Sequence, residues 1–91
     1  MKYEIVPSNQ FRKDLKLAQK RGYDIQKIKN IISALACGEV LEAKYRDHAL
    51  TGDYSGFREC HIQPDWLLIY QIRGDRLILF LARTGTHSDL F

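Results

Sequence analysis

Residues 57–83 read FRECHIQPDWLLIYQIRGDRLILFLAR, three apolar runs separated only by Pro64-Asp65 and Gly74-Asp75. A parallel crossover takes a dozen or more residues, so gaps this short force each strand to turn back along its predecessor. The C-terminal half of the chain is therefore expected to form an antiparallel three-stranded meander. A meander buries one face only if something apolar lies against it, so the rest of the chain must supply that layer.

The N-terminal half has the right pattern. KYEIV, Lys2 to Val6, alternates as a short strand, and Pro7 is expected to break it. Ser8 stands where a helix N-cap belongs, ahead of Phe11, Leu15 and Ala18 at i, i+4, i+7, and Gly22 is a natural stop. Asp24 opens a second helix with Ile28, Ile31, Ile32 and Leu35 on one stripe, ended by Gly38. The two form a helical hairpin. Residues 39–56 lose the periodicity, and a connection of that length in a small domain points to a functional role. The order of strand, two helices and meander makes an α+β domain spanning residues 1–91, with the helices on one face of the sheet.

Composition narrows the class. With 45% hydrophobic and 27% charged residues the chain is an ordinary globular one, and no apolar run reaches the ~20 residues of a membrane span. The start, MKYEIVPSNQF, has no apolar signal stretch, and Cys37 and Cys60 form no CxxC pair, so a reducing cytoplasm is expected. Residues 1–46 hold 10 Lys/Arg against 5 Asp/Glu, and residues 47–91 hold 4 against 6. The basic first half, with Lys13, Lys16, Lys20 and Arg21 on the first helix, suits a polyanion or an acidic partner.

A two-residue loop at Gly74-Asp75 would set Leu68 opposite Leu81 and Trp66 opposite Arg83. One at Pro64-Asp65 would set His61 opposite Leu68. Directly opposed residues share a face, so His61, Trp66 and Arg83 are expected together at one end of the sheet. Asp65 lies in the adjoining turn, and the tail RTGTHSDLF begins there. The other face, with Cys60, Ile62, Leu67, Ile69, Ile78, Phe80 and Ala82, is expected to receive the helices.

Each polar residue has an ordinary explanation alone: a surface-loop His48, a half-buried His61, a packing Trp66, an Arg83 paired with Asp65, a frayed tail with His87 and Phe91. Their convergence is what argues for chemistry. Imidazoles, a carboxylate and a guanidinium suit RNA phosphodiester cleavage, in which the ribose 2′-hydroxyl is the substrate's own nucleophile. One imidazole takes that proton, another protonates the departing 5′-oxygen, and an arginine stabilises the charge developing on phosphorus. An aromatic ring can stack on an unpaired base. A metal site built from the histidines is the weaker alternative, because no pair has zinc-motif spacing. Neither cysteine lies among the polar residues, which argues against a nucleophilic triad.

YRDHALTGDYSGFRECHIQPDWLLIYQI followed by ARTGTHSDLF closely resembles the YafQ-like branch of the RelE/ParE toxin superfamily, and the likeness extends over nearly the whole chain, including KDLKLAQKRG. The resemblance implies a RelE-like fold and a ribosome-dependent endoribonuclease that cuts mRNA in the A site, with no metal or other cofactor. The family's functional residues match His48, His61, Asp65, Trp66, Arg83, His87 and Phe91. It implies Arg83 for transition-state charge, His61 and His87 for proton transfer, and His48 and Asp65 to orient them or share that work. Trp66 would stack on substrate or pack, Phe91 would contact substrate or pack the site, and Lys13, Lys16, Lys20 and Arg21 would meet ribosomal RNA. The implied partners are a DinJ- or RelB-like antitoxin, through which the complex would bind operator DNA, and the 70S ribosome; no membrane is implied. The rival functions are a ParE-like gyrase poison and a non-catalytic RNA- or protein-binding module.

Overall fold

Ser8 ends the first strand and starts the first helix in the computed structural model, which describes residues 1–91. Its hydroxyl accepts from the Phe11 N–H at 2.9 Å and donates to the Ala82 carbonyl at 2.8 Å. Strand β1 runs Glu4–Pro7 and includes the proline expected to break it, which is tolerable because β1 is an edge strand. Helix α1 spans Asn9–Lys20, and Gly22 follows it at φ +81°, a left-handed conformation in which glycine carries no steric cost. Helix α2 spans Ile25–Ala36, capped by the Asp24 carboxylate on the Gln26 N–H.

The expected meander is present as β3 (Arg58–Gln63), β4 (Trp66–Arg73) and β5 (Ile78–Gly85). A two-residue strand, β2 (His48–Ala49), and a final short helix, α3 (His87–Leu90), add to it. The sheet order is β1-β5-β4-β3-β2, with β1 parallel to β5 and the other pairs antiparallel.

Two bulges set which side chains share a face. The Pro64-Asp65 turn has the expected two residues, with Gln63 opposite Trp66. Ile62 is then an extra residue, so His61 lies opposite Leu67 and not Leu68. Between β4 and β5 the loop takes four residues, 74–77, with Leu77 at φ +53°, so Arg73 faces Ile78. Two added residues keep the predicted faces. A second bulge at Ala82 then reverses them, placing Arg83 opposite Ile69.

His61 and Arg83 therefore share a face as expected, but Trp66 does not join them. Leu67 and Ile69, expected beneath the helices, lie on the His61 side. The helix-covered core joins Phe11, Ala18, Ile28, Ile31 and Leu35 to Cys60, Trp66, Leu68, Tyr70, Leu79 and Leu81. A smaller cluster of Leu67, Ile69 and Leu90 lies on the opposite face, covered by Leu50, Tyr54, Phe57 and Ala82. The segment after α2 thus packs Leu41 and Tyr45 against the helix-covered core and lays Leu50, Tyr54 and Phe57 across part of the second face.

Candidate active site

Side-chain rows across the sheet define the site. His48, Glu59, Ile69 and Arg83 oppose one another in sequence across β2, β3, β4 and β5. The next row is His61, Leu67 and Gly85. Glu59 and His61 are two residues apart on one strand and so project together. The Glu59 side chain is only 6% exposed; its carboxylate lies 3.3 Å from His61 Nε2 and 3.7 Å from His48 Nε2. The His61 ring faces acceptors at both nitrogens, with the Pro64 carbonyl 3.4 Å from Nδ1. His48 Nδ1 donates to the Arg46 carbonyl at 2.7 Å.

His87 completes the row of imidazoles. Its ring centroid lies 5.8 Å from that of His61, which lies 6.2 Å from that of His48. Asp65 Oδ1 accepts from the His87 backbone N–H at 2.9 Å and from its Nδ1 at 2.7 Å. A carboxylate can only accept, so Nδ1 carries the proton and Nε2 is left for exchange with a substrate. The His87 backbone N–H, and secondly its ring, hold the Asp65 carboxyl below the usual carboxylate range.

α3 places His87 by local chemistry. Thr86 and Asp89 form a reciprocal capping box, and Arg21 reaches from the end of α1 to Asp89 at 2.6 Å. That guanidinium and the Thr86 N–H hold the Asp89 carboxyl far below its ordinary range. Gly85 permits the tight turn: a Cβ there would lie 3.0 Å from the Asp89 side chain. Arg21, expected to bind RNA, is thus already bound within the protein. Lys13, Lys16 and Lys20 are exposed on the same helix.

Arg83 is also engaged. β1 ends opposite Leu81, which leaves the outer edge of β5 open beyond that point. Asp14 from α1 fills the gap: it accepts from Arg83 Nε at 2.9 Å, Arg83 Nη2 at 3.1 Å and the Thr84 N–H at 3.2 Å. Asp14 first, and Tyr54 to a lesser extent, raise the Arg83 pKa. The Arg83 side chain remains 28% exposed, and Asp14 takes only Nε and Nη2, so Nη1 can still meet an anion. β4 lies between Arg83 and His61, two strand spacings of about 4.8 Å each, so the two are farther apart than the width of a single phosphate.

Trp66 is 1% exposed on the helix-covered side, edge-to-face with Tyr23, and its indole N–H donates to Thr84 Oγ1 at 3.0 Å. It packs the core and its ring cannot stack on a base as expected. Phe91 is 65% exposed and meets Tyr54 edge-to-face at 5.6 Å, in reach of a ligand.

Three residues escaped the sequence reading. Glu59 had a signal in its period-2 spacing from His61. Asp14 had none, because its partner is 69 positions away. Asp47 accepts from Tyr70 Oη at 2.6 Å and Arg58 Nε at 3.2 Å, which anchors the segment carrying His48. Burial foremost, then Asp47, pushes the Tyr70 phenol well above its ordinary range.

The family described as "Bacterial toxin of type II toxin-antitoxin system, YafQ" matches residues 3–91. This chain belongs to the YafQ toxin family. The mRNA interferase toxin YafQ of Escherichia coli K12 is 46% identical over 89 residues, covering 97% of this chain and 95% of the relative. The crystal structure of YafQ from E. coli BL21(DE3) superposes with a TM-score of 0.91 at 42% identity, covering 98% of both chains. A metal-bound toxin from Helicobacter pylori gives a TM-score of 0.92 at 45% identity, covering 98% of this chain and 99% of that one. The α+β fold with a five-stranded mixed sheet and three helices is that of these YafQ structures.

His48, Glu59 and His61 each offer a ligand atom, all within 4.8 Å of one another, a donor set that suits a transition-metal ion. No helix is long and apolar enough to cross a membrane.

Proposed function

We propose that this YafQ-family toxin is an mRNA interferase that cuts messages in the ribosomal A site by metal-independent acid–base chemistry. The observation that carries the reading is the row of three imidazoles, with His87 fixed by Asp65 and His61 beside a buried Glu59. The identity to relatives named mRNA interferase toxins supports it.

In this reading the ribose 2′-oxygen attacks the adjacent phosphorus while one imidazole takes its proton. The bond from phosphorus to the 5′-oxygen breaks, and the second imidazole protonates that oxygen. The products are a 2′,3′-cyclic phosphate and a 5′-hydroxyl end. His61 and His87 are the pair, because their ring centroids are 5.8 Å apart, with Nδ1 of His87 held by Asp65 and the His61 ring set between the Glu59 carboxylate and the Pro64 carbonyl. Glu59 and Asp65 orient them, with His48 as a third imidazole against the same carboxylate. Arg83, held in place by Asp14, offers a fixed charge to the phosphoryl oxygens, and Phe91 offers an exposed ring to a base. Lys13, Lys16 and Lys20 supply sequence-independent attraction to ribosomal RNA.

E. coli YafQ has been crystallised with DinJ. We infer that a cognate antitoxin with an acidic segment covers the basic helices and the histidine row here, in the cytoplasm, and carries the complex to operator DNA.

Primer extension on a translated message, with and without ribosomes and with toxin dialysed free of metal beforehand, tests the reading. Cuts confined to translated codons, undiminished by that dialysis and lost in His87→Ala, are expected. Wild-type cutting by His87→Ala removes the catalytic assignment. Arrest without cutting favours a binding module, and supercoiling defects without cutting favour a gyrase poison.

A further inference from the structure

The largest cavity, about 390 Å³, lies not over the histidine row but beside it. It runs along the outer edge of β3 where β2 has ended: β2 pairs only with Glu59 and Arg58, so His61 to Gln63 have no strand beyond them. α2 contributes Lys27 and Asn30, the 3-10 turn Ala43–Tyr45 contributes Lys44 and Tyr45, and β3 contributes His61 and Gln63. Ile31 and Ile62 form an apolar floor. His61 belongs to both this groove and the histidine row, so a chain threading the reacting centre has the groove as its continuation.

We propose that this groove is a nucleotide subsite that holds the RNA residue next to the scissile phosphate. The proposal rests on the interferase reading and adds to it the path of the substrate. The two ammonium groups carry the charge a phosphodiester needs, and neither is committed elsewhere by a strong contact. Lys44 lies 3.9 Å from Glu42 with both side chains mostly exposed, an interaction of little strength. Lys44 Nζ also stands 5.1 Å over the Tyr45 ring, so a phosphate drawn to Lys44 brings the attached base toward that ring. Asn30 and Gln63 present amides that can both donate and accept, the combination that reads a base edge. A flat apolar floor with amides at its rim suits a base and sugar better than a metal ion or an inorganic anion.

This places substrate recognition on α2 and the turn before β2, apart from the lysines of α1. The two basic surfaces then have different signatures. Removing α1 lysines weakens attraction uniformly, whereas the groove acts on apparent KM and on which nucleotide adjoins the cut.

The test compares wild type, the double variant Lys27→Ala/Lys44→Ala, and Tyr45→Ala on programmed ribosomes, scoring concentration dependence, salt dependence and the distribution of cut sites. The expected result for the double variant is a half-saturating concentration raised about tenfold at unchanged kcat, with a shallower salt slope by up to about 1.4 for two lost phosphate contacts. Tyr45→Ala is expected to alter the distribution of cut sites. Thermal melting checks the fold, and both lysines are exposed. Unchanged half-saturation and an unchanged cut-site distribution in folded variants overturn the subsite while leaving the interferase reading standing. Retained cleavage with weakened antitoxin binding also overturns it and assigns the groove to an acidic protein. A wild-type chain that cuts no RNA removes the reading beneath it.

Discussion

Asp65 holds His87 twice through a single oxygen, Oδ1, which accepts from the backbone N–H at 2.9 Å and from the imidazole Nδ1 at 2.7 Å. One carboxylate from the β3–β4 turn thereby fixes the position, the tautomer and the orientation of an imidazole on the last helix. Asp65→Asn keeps the shape but replaces the charged acceptor with a neutral amide, and is expected to lower kcat by about 10–10²-fold, a share of what a positioned proton-transfer group supplies. The Asp65 carboxyl is lowered chiefly by the His87 N–H. A lowered acid stabilises the fold above its unfolded pKa of about 3.9 and loses that contribution as pH falls through the folded value. The carboxylate's own contribution is therefore complete at neutral pH and is lost only in stronger acid, where α3 loosens. An acid titration followed by NMR of the His87 amide checks this.

Glu59→Gln should separate the chemistry from the fold. The side chain is buried between two imidazoles, and glutamine matches its volume while placing an N–H where an acceptor is required. Single-turnover cleavage is expected to fall by about 10²-fold. Binding to programmed ribosomes should be retained, as a pelleting assay would show.

Asp89→Ala removes both the N3 partner of the Thr86 capping box and the anchor for Arg21. A lost cap costs about 1 kcal/mol. The cost should be local, with faster amide exchange in residues 86–91 and little change in the sheet, together with lower kcat because His87 loses its placement. Arg21→Ala should reproduce the local loosening, which an RNA-binding role for Arg21 would not.

Asp14→Ala leaves the Thr84 N–H and the Arg83 guanidinium without their shared acceptor. Stranding a buried donor costs about 1–3 kcal/mol. Urea unfolding should show a lower midpoint at unchanged slope, and cleavage should fall as Arg83 is freed to adopt other rotamers.

The two thiols should respond differently to alkylation. Cys37 is exposed, whereas burial, helped by Asp47 and Glu59, pushes the Cys60 thiol up to about 12. Mass spectrometry after iodoacetamide treatment should find one modified cysteine in the native chain and two in denaturant.

The sequence determined α1, α2 and the three-stranded meander, with the caps of the two helices, but not β2 or α3. Ser8, Asp24 and Gly22 mark helix ends through bonds no longer than one turn, and Pro64-Asp65 sets a hairpin because a two-residue gap allows nothing else. It also placed His61 and Arg83 on one face, although by a register the protein does not use. Tertiary structure decided which face that is. The bulges at Ile62 and Ala82 each move a strand by one residue, and a one-residue shift exchanges the two sides of a strand. Both shifts let Trp66, Leu68 and Tyr70 meet the helices while His61 and Arg83 turn away. Whether a bulge forms depends on burial summed over both faces, a quantity that no local pattern encodes. For the same reason the pairs Asp14–Arg83 and Arg21–Asp89 became visible only once distant segments were packed together.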